Sequence, residues 1–236
     1  MPQVFVQGKA VDSYPVRAPE ARRGAVRRVT EVGEAVLRRP ARAVTAAEFG
    51  TAELAALVDD MFLTMYVADG CGLAANQVDV GLRLFVYDCP DEDGNRHVGH
   101  IANPVLDPPD GGPRRLLDEP EGCLSVPGAW KEVPRADRAV VRGFDLDGRD
   151  LVIEGQGYFA RCLQHETDHC DGQVYVDRLG ARDRRDVLRQ AAELREGVFA
   201  RRAAKEAELA AEEAELAAKE AELAADAEEA ELAVEG

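Results

Sequence analysis

The sequence has no run approaching eighteen consecutive apolar residues, so it holds no candidate membrane-spanning helix. It is poor in histidine (4), in tryptophan (1) and in lysine, with 4 Lys against 25 Arg. Its five cysteines, Cys71, Cys89, Cys123, Cys162 and Cys170, are odd in number and irregularly spaced, which argues against a paired disulfide framework. The opening residues, MPQVFVQGKAVDSYP, lack the charged-then-apolar layout of a secretory signal. These absences lead us to expect reduced thiols and a cytoplasmic protein. What is present is 46% hydrophobic residues over 236 positions, enough for one sizeable core with extensions.

The net charge of −16 is unevenly spread. Residues 205–236 carry 12 acidic groups and 2 Lys, so −10 of it belongs to the tail. The acidity therefore describes the tail more than whatever the body binds. Residues 1–26 read as a loose leader, and the stretch from Arg17 to Arg42, with eight Arg and three acids, reads as a solvated extension rather than an organelle transit segment.

Periodicity outlines the rest. Leu54, Leu57, Val58, Met61 and Met65 form one face of a helix that Thr51 starts and Gly70 ends. Leu82–Tyr87 and His100–Val105 read as strands. Arg138–Phe144 and Asp150–Glu154 read as a hairpin turning at Asp147-Gly148. Helices are expected over Gly157–Cys170 and Arg182–Phe199. Strands first, with helices out of regular alternation, imply an α+β fold rather than a doubly wound sheet. The tail repeats KEAELAA, EEAELAA and KEAELAA, all strong helix formers. Leu209, Leu216 and Leu223 recur by seven without a second apolar seam, so a single solvated helix is expected rather than a coiled coil.

Three segments could carry chemistry. His165-Glu166-Thr167-Asp168-His169 is an HExxH on the second helix, which puts two imidazoles one turn apart on one face, with Glu166 beside a metal they could share. The metzincin extension fails, because Tyr175 stands where a third histidine is required. His97 and His100 sit in and beside a polar loop and are poor ligand candidates. A third ligand could be Glu193 downstream or Cys123 upstream, the latter in the tight loop Glu121-Gly122-Cys123-Leu124-Ser125. The third segment, Gly70-Cys71-Gly72-Leu73-Ala74-Ala75-Asn76-Gln77, allows close backbone approach at its glycines and ends in an amide donor. No phosphate-binding helix pattern follows it.

In that order, GCGLAANQ, EGCLS and QHETDH resemble the three signature motifs of peptide deformylases, separated by 51 residues (Gly72 to Cys123) and 42 (Cys123 to His165). The similarity runs through Asn103-Pro104 and Val133-Pro134-Arg135-Ala136 and covers roughly residues 27–197. It divides the chain into an N-terminal extension (1–26), a catalytic domain (27–197) and an Ala/Glu-rich helical tail (198–236). Cys71 departs from the family's usual aliphatic residue, and Cys170 follows the second histidine.

The resemblance implies an α+β fold with antiparallel strands packed around the HExxH helix. It implies hydrolytic removal of the formyl group from N-formylmethionyl ends of new polypeptides. Cys123, His165 and His169 would hold one divalent metal, Fe²⁺ physiologically, with Zn²⁺, Ni²⁺ or Co²⁺ as substitutes. Glu166 would be the acid–base, and Gln77 with the Leu124 backbone N–H the oxyanion donors. Substrate would meet Gly70, Cys71, Gly72, Glu121 and Gly122. Tyr158, Arg161 and Cys162, on the His165 face of the helix, would line a methionine pocket, with the Arg161 head reaching water. Glu121 would also pair with Arg135 to brace the Cys123 loop. The implied partners are nascent peptides and, transiently, the ribosome, with neither DNA nor membrane. The alternatives are a zinc endopeptidase using Glu193, and a non-catalytic, metal-retaining, ribosome-associated module.

Overall fold

Strand β4 (Leu84–Pro90) organises the core. Its LFVY stretch is buried at every position, because successive side chains point to opposite faces and both faces are covered. Leu84 and Val86 pack with Leu57, Met61 and Met65 of helix α1 (Ala52–Val67), so the stripe read from the sequence is the face laid on the sheet. Phe85 and Tyr87 pack on the other side with Phe159 and Leu163 of helix α2 (Gly157–Cys170). Packed against the sheet, α2 buries twelve of its fourteen residues.

The computed structural model describes residues 2–108 and 115–235. Among them, the larger sheet has seven strands. Its main path runs β2 (Lys9–Val11), β1 (Val4–Val6), β5 (Arg96–Leu106), β4 and β3 (Gly72–Ala74), which leaves β3 at the end of the path. The hairpin β8 (Arg138–Phe144) and β9 (Asp150–Gln156) joins through β5. Strand β5 pairs with β4 over Arg96–Ala102 and with β8 at Ala102, Val105 and Leu106, its register with β8 shifting between Ala102 and Val105 around Asn103 (φ 51°). Pairing is antiparallel except between β1 and β5. A second sheet is the pair β6 (Leu116–Cys123) and β7 (Val126–Ala136), which the periodicity did not reveal.

Three expectations change. The leader is not loose: β1 adds to β5, and Phe5 stacks on His97, which stacks in turn on Phe159 of α2 at centroid separations of 5.0 and 4.2 Å. Helix α1 stops at Val67, and the left-handed residue beyond it is Asp69 (φ 54°) rather than Gly70. Asp tolerates that region better than most side chains, which leaves Gly70 available for a different task. The third helix and the tail are one element, α3 (Ala181–Glu235, 55 residues).

Nor is α3 wholly solvated. Val187 and Ala191 pack against β7 and the Val174–Val176 turn, Leu209 is buried, and Glu212 and Glu213 pair with Arg17 and Arg22 of the leader at 2.8 and 2.9 Å. Leu216 is exposed, and Leu223 lies outside the residues whose side chains are described. No helix among the described residues is long and apolar enough to cross a membrane.

Candidate metal centre

Helix α2 brings His165 and His169 onto one face with their Nε2 atoms 3.2 Å apart. Cys123 reaches them from the end of β6, where the register with β7 shifts between Gly122 and Cys123. That irregularity turns the chain inward and sets Cys123 Sγ 3.2 Å from His169 Nε2. The three ligand atoms lie within 4.8 Å of one another, the only such group of three or more among the described residues. His97 and His100 are elsewhere, bonded to Asp91 (2.9 Å) and Gln7 (2.7 Å). Glu193 is exposed on α3 near Arg189, so it does not supply a third ligand.

A buried ionic network holds this group in place. Glu121 accepts from Arg135 (2.6 and 2.9 Å), Arg161 (2.8 Å) and His165 Nδ1 (2.7 Å). Burial opposes ionisation of Glu121, yet the bonds from Arg135 and His165 hold its carboxyl well below the usual carboxylate range. Arg135 continues to Asp168 (2.6 Å), which also accepts from Arg178, so the HExxH helix is clamped from both sides. The bracing pair Glu121–Arg135 is thus present. Arg161 differs from expectation: its head does not reach water but is buried, donating also to Val133 O and Leu117 O at 2.8 Å.

Beside the three ligand atoms lies a cleft of about 270 Å³ lined by Gly70, Cys71, Gly72, Gln77, Leu124, Tyr158, Cys162 and Glu166, among others. Glu166 is buried, its Oε2 has no partner, and burial pushes its carboxyl up to about 7. A Cβ on Gly72 would lie 2.5 Å from Glu166 Oε1, and one on Gly70 2.7 Å from Leu124 Cδ1. The two glycines thus make room for these side chains. Gln77 is oriented by Ala74 N–H donating to its Oε1 (2.9 Å), which turns Nε2 toward Ser125 Oγ (3.2 Å) and Cys123 Sγ (3.5 Å). Tyr158 OH and Cys162 Sγ approach Cys71 Sγ and Cys71 O, each at 3.7 Å. A hydrogen bond from Cys89 brings Cys71 down to about 7 against the effect of burial.

A family profile described as polypeptide deformylase matches residues 26–185. The chain belongs to that family. Peptide deformylase 2 of Streptomyces avermitilis is 55% identical over 170 residues, covering 72% of this chain and 88% of the relative. The peptide deformylase of Mycolicibacterium paratuberculosis is 47% identical over 174 residues, 71% and 88% of the two chains. A solved peptide deformylase from Legionella pneumophila superposes with a TM-score of 0.64 at 36% identity, covering 73% of this chain and 96% of that one.

The deformylase family is one of metalloenzymes, and the residues here fit a cation. Two imidazole nitrogens and a sulfur converge at 3.2 Å contacts, a spacing at which one shared cation would satisfy a lone pair on each. Glu121 occupies His165 Nδ1, which commits the other ring nitrogen to the centre. Two imidazoles and a thiolate are a donor set for divalent transition metals. Four residues beside this candidate site were given no role by the sequence reading. Asn76 donates to His169 O (2.6 Å), and Ser125 meets Gln77. Trp130 covers Gly122, where a Cβ would lie 2.7 Å from the ring. Arg202 donates to Leu124 O (2.9 Å). Asn76 and Ser125 lie inside the GCGLAANQ and EGCLS motifs and Trp130 is the chain's lone tryptophan, whereas nothing local marks Arg202.

Proposed function

We propose that Cys123, His165 and His169 hold one divalent cation, Fe²⁺ in the cell with Zn²⁺, Ni²⁺ or Co²⁺ as substitutes, in a catalytic unit of about residues 27–197. The reaction is that of the deformylase family, hydrolysis of the formyl group from N-formylmethionyl ends of newly made polypeptides with release of formate. The convergence of one sulfur and two imidazoles beside an unpartnered buried carboxyl carries this reading. When bound, the cation acts as a Lewis acid that lowers the pKa of ligated water to about 7.

The chain's own groups do the rest. Glu166, raised toward neutrality by burial, takes the proton of the attacking water and passes it to the leaving amine. Neither imidazole is free for that task, since each commits its Nε2 to the centre. Gln77 Nε2 and the Leu124 backbone N–H donate to the oxyanion that develops on the formyl oxygen. The substrate backbone runs past Gly70 and Gly72 beside the short strand β3, where backbone pairing can align it. Gly122 and Glu121 flank that path, although the Glu121 carboxylate is already spent on its buried partners. Tyr158, Cys162 and Cys71 form the wall for the methionine side chain, backed by Arg161. In this reading the enzyme meets its nascent chains in the cytoplasm, in transient contact with the ribosome.

The test pairs anaerobic metal analysis with formate release from formyl-Met peptides on one sample. One cation per chain with formate release is expected, chelation abolishing the activity and metal restoring it. Cleavage of internal peptide bonds without formate release would overturn the assignment. Within the same assay, Gln77→Ala is expected to lower turnover by about 10²–10³ while metal content stays unchanged. Turnover within threefold of the parent would remove Gln77 from its role.

A further inference from the structure

Helix α3 continues well past residue 185, where the family match ends, and returns to the cleft. Val198, Arg201 and Arg202 line the same space as Glu166 and Cys123. Close packing brings them there: a Cβ on Gly128 of β7 (φ 75°) would lie 3.1 Å from Leu194 and 3.2 Å from Val198. One turn beyond Val198, Arg202 sends its guanidinium toward the Cys123 loop. Its Nη2 donates to Leu124 O at 2.9 Å, and the group lies 5.8 Å from the Phe199 ring. Arg202 Nε is buried without a partner, so the side chain is held at this depth despite an unmet donor.

The carbonyl that Arg202 holds belongs to the peptide joining Leu124 to Ser125. The N–H of that same peptide points at Cys123 Sγ, with Ser125 N at 3.4 Å. A peptide unit is planar and rigid, so fixing its oxygen fixes the direction of its N–H. A cation at the oxygen also polarises the unit and strengthens the N–H as a donor. We propose that Arg202 is a positioning residue for the metal centre. Acting through the Leu124–Ser125 peptide, it aims a hydrogen bond at the Cys123 sulfur and so makes helix α3 part of the working enzyme. The proposal rests on the reading that Cys123 is a metal ligand. It reaches beyond that reading by giving a role to a residue outside the matched segment.

The test uses the full-length chain loaded with Co²⁺, whose near-ultraviolet thiolate-to-cobalt absorption reports hydrogen bonding at the sulfur. Arg202→Met keeps an unbranched side chain and removes the donors, whereas Arg202→Lys keeps a charged donor. Arg189→Ala, exposed on the same helix, is the control. Arg202→Met is expected to shift the band and to lose cobalt to a chelator about tenfold faster. Its kcat should fall with KM little changed, and Arg202→Lys should recover part of each. An unchanged band with chelation within twofold of the parent overturns the proposal, as does a loss in Arg202→Met that Arg202→Lys leaves wholly unrepaired. Should Arg202→Met fail to fold, Arg202→Gln, too short to reach Leu124 O, is read against the same thresholds. A parent protein without a thiolate-to-cobalt band would instead sink the metal assignment, whereas a band without formate release would sink only the assigned reaction.

Discussion

Replacing Glu166 with glutamine is expected to lower turnover by about 10²–10⁴, the range for loss of a positioned acid–base group, while leaving one metal per chain. Glutamine has nearly the same shape, so it fits the space that Gly72 leaves. It cannot take a proton from water and return it to an amine. Cys123, His165 and His169 do not depend on the Glu166 carboxyl for their hydrogen bonds. Stability should hold or rise, because the carboxyl is buried with Oε2 unpartnered and its charge is disfavoured there. Formate release, metal content and the urea midpoint measured on one preparation check all three statements. Turnover within tenfold of the parent would show that another group carries the proton.

Glu121→Ala is expected to be the most destabilising change in the site, at about 3–5 kcal/mol. The carboxylate answers Arg135 and Arg161, which are 2% and 4% exposed, so its removal leaves Arg135 with Asp168 alone and buries Arg161 with only carbonyl oxygens for hydrogen-bond partners. It also frees His165 Nδ1, whose bond to Glu121 orients the ring. Loss of such a bond typically costs about 10–100-fold in metal affinity. Glu121→Gln keeps the volume and one acceptor but turns an amide N–H toward a cation, so it should fall between the parent and the alanine variant. Denaturant unfolding of the metal-free chain separates the stability effect from the metal effect, which chelator competition reads directly. A metal-free loss under about 1 kcal/mol would mean that water or a neighbouring carboxylate takes over the two guanidinium groups.

Both predictions concern one design feature, a catalytic helix buried nearly all round and fixed by ions instead of apolar contacts alone. Asp168 and Glu121 grip Arg135 from two sides, and Gln164 ties the same helix to Ala136 through bonds of 2.8 and 3.1 Å. Together with the Phe5–His97–Phe159 stack, these contacts leave the two imidazoles little freedom to separate. The leader therefore supports the helix that holds the site.

The local patterns were legible residue by residue. The Leu54–Met65 stripe, the strand cores in Leu82–Tyr87 and Arg138–Phe144, and the bounds of α2 follow from spacing, because each is settled within one turn or one pleat. The pairing of His165 with His169 belongs to the same class. Strands β6 and β7 were not legible, since Pro120, Gly122, Pro127 and Pro134 interrupt their alternation, and only mutual pairing makes them extended. The leader's strands were hidden for a similar reason, being three residues long and dependent on β5. Chain order by itself determined two imidazoles on one helical face, a cysteine in a tight loop and a glycine-flanked amide. Tertiary structure decided that the β6 register shift delivers Cys123 to those imidazoles, that Arg161 faces inward, and that α3 returns with Arg202. Those outcomes depend on contacts between residues far apart along the chain, which are fixed by packing and charge pairing across the fold.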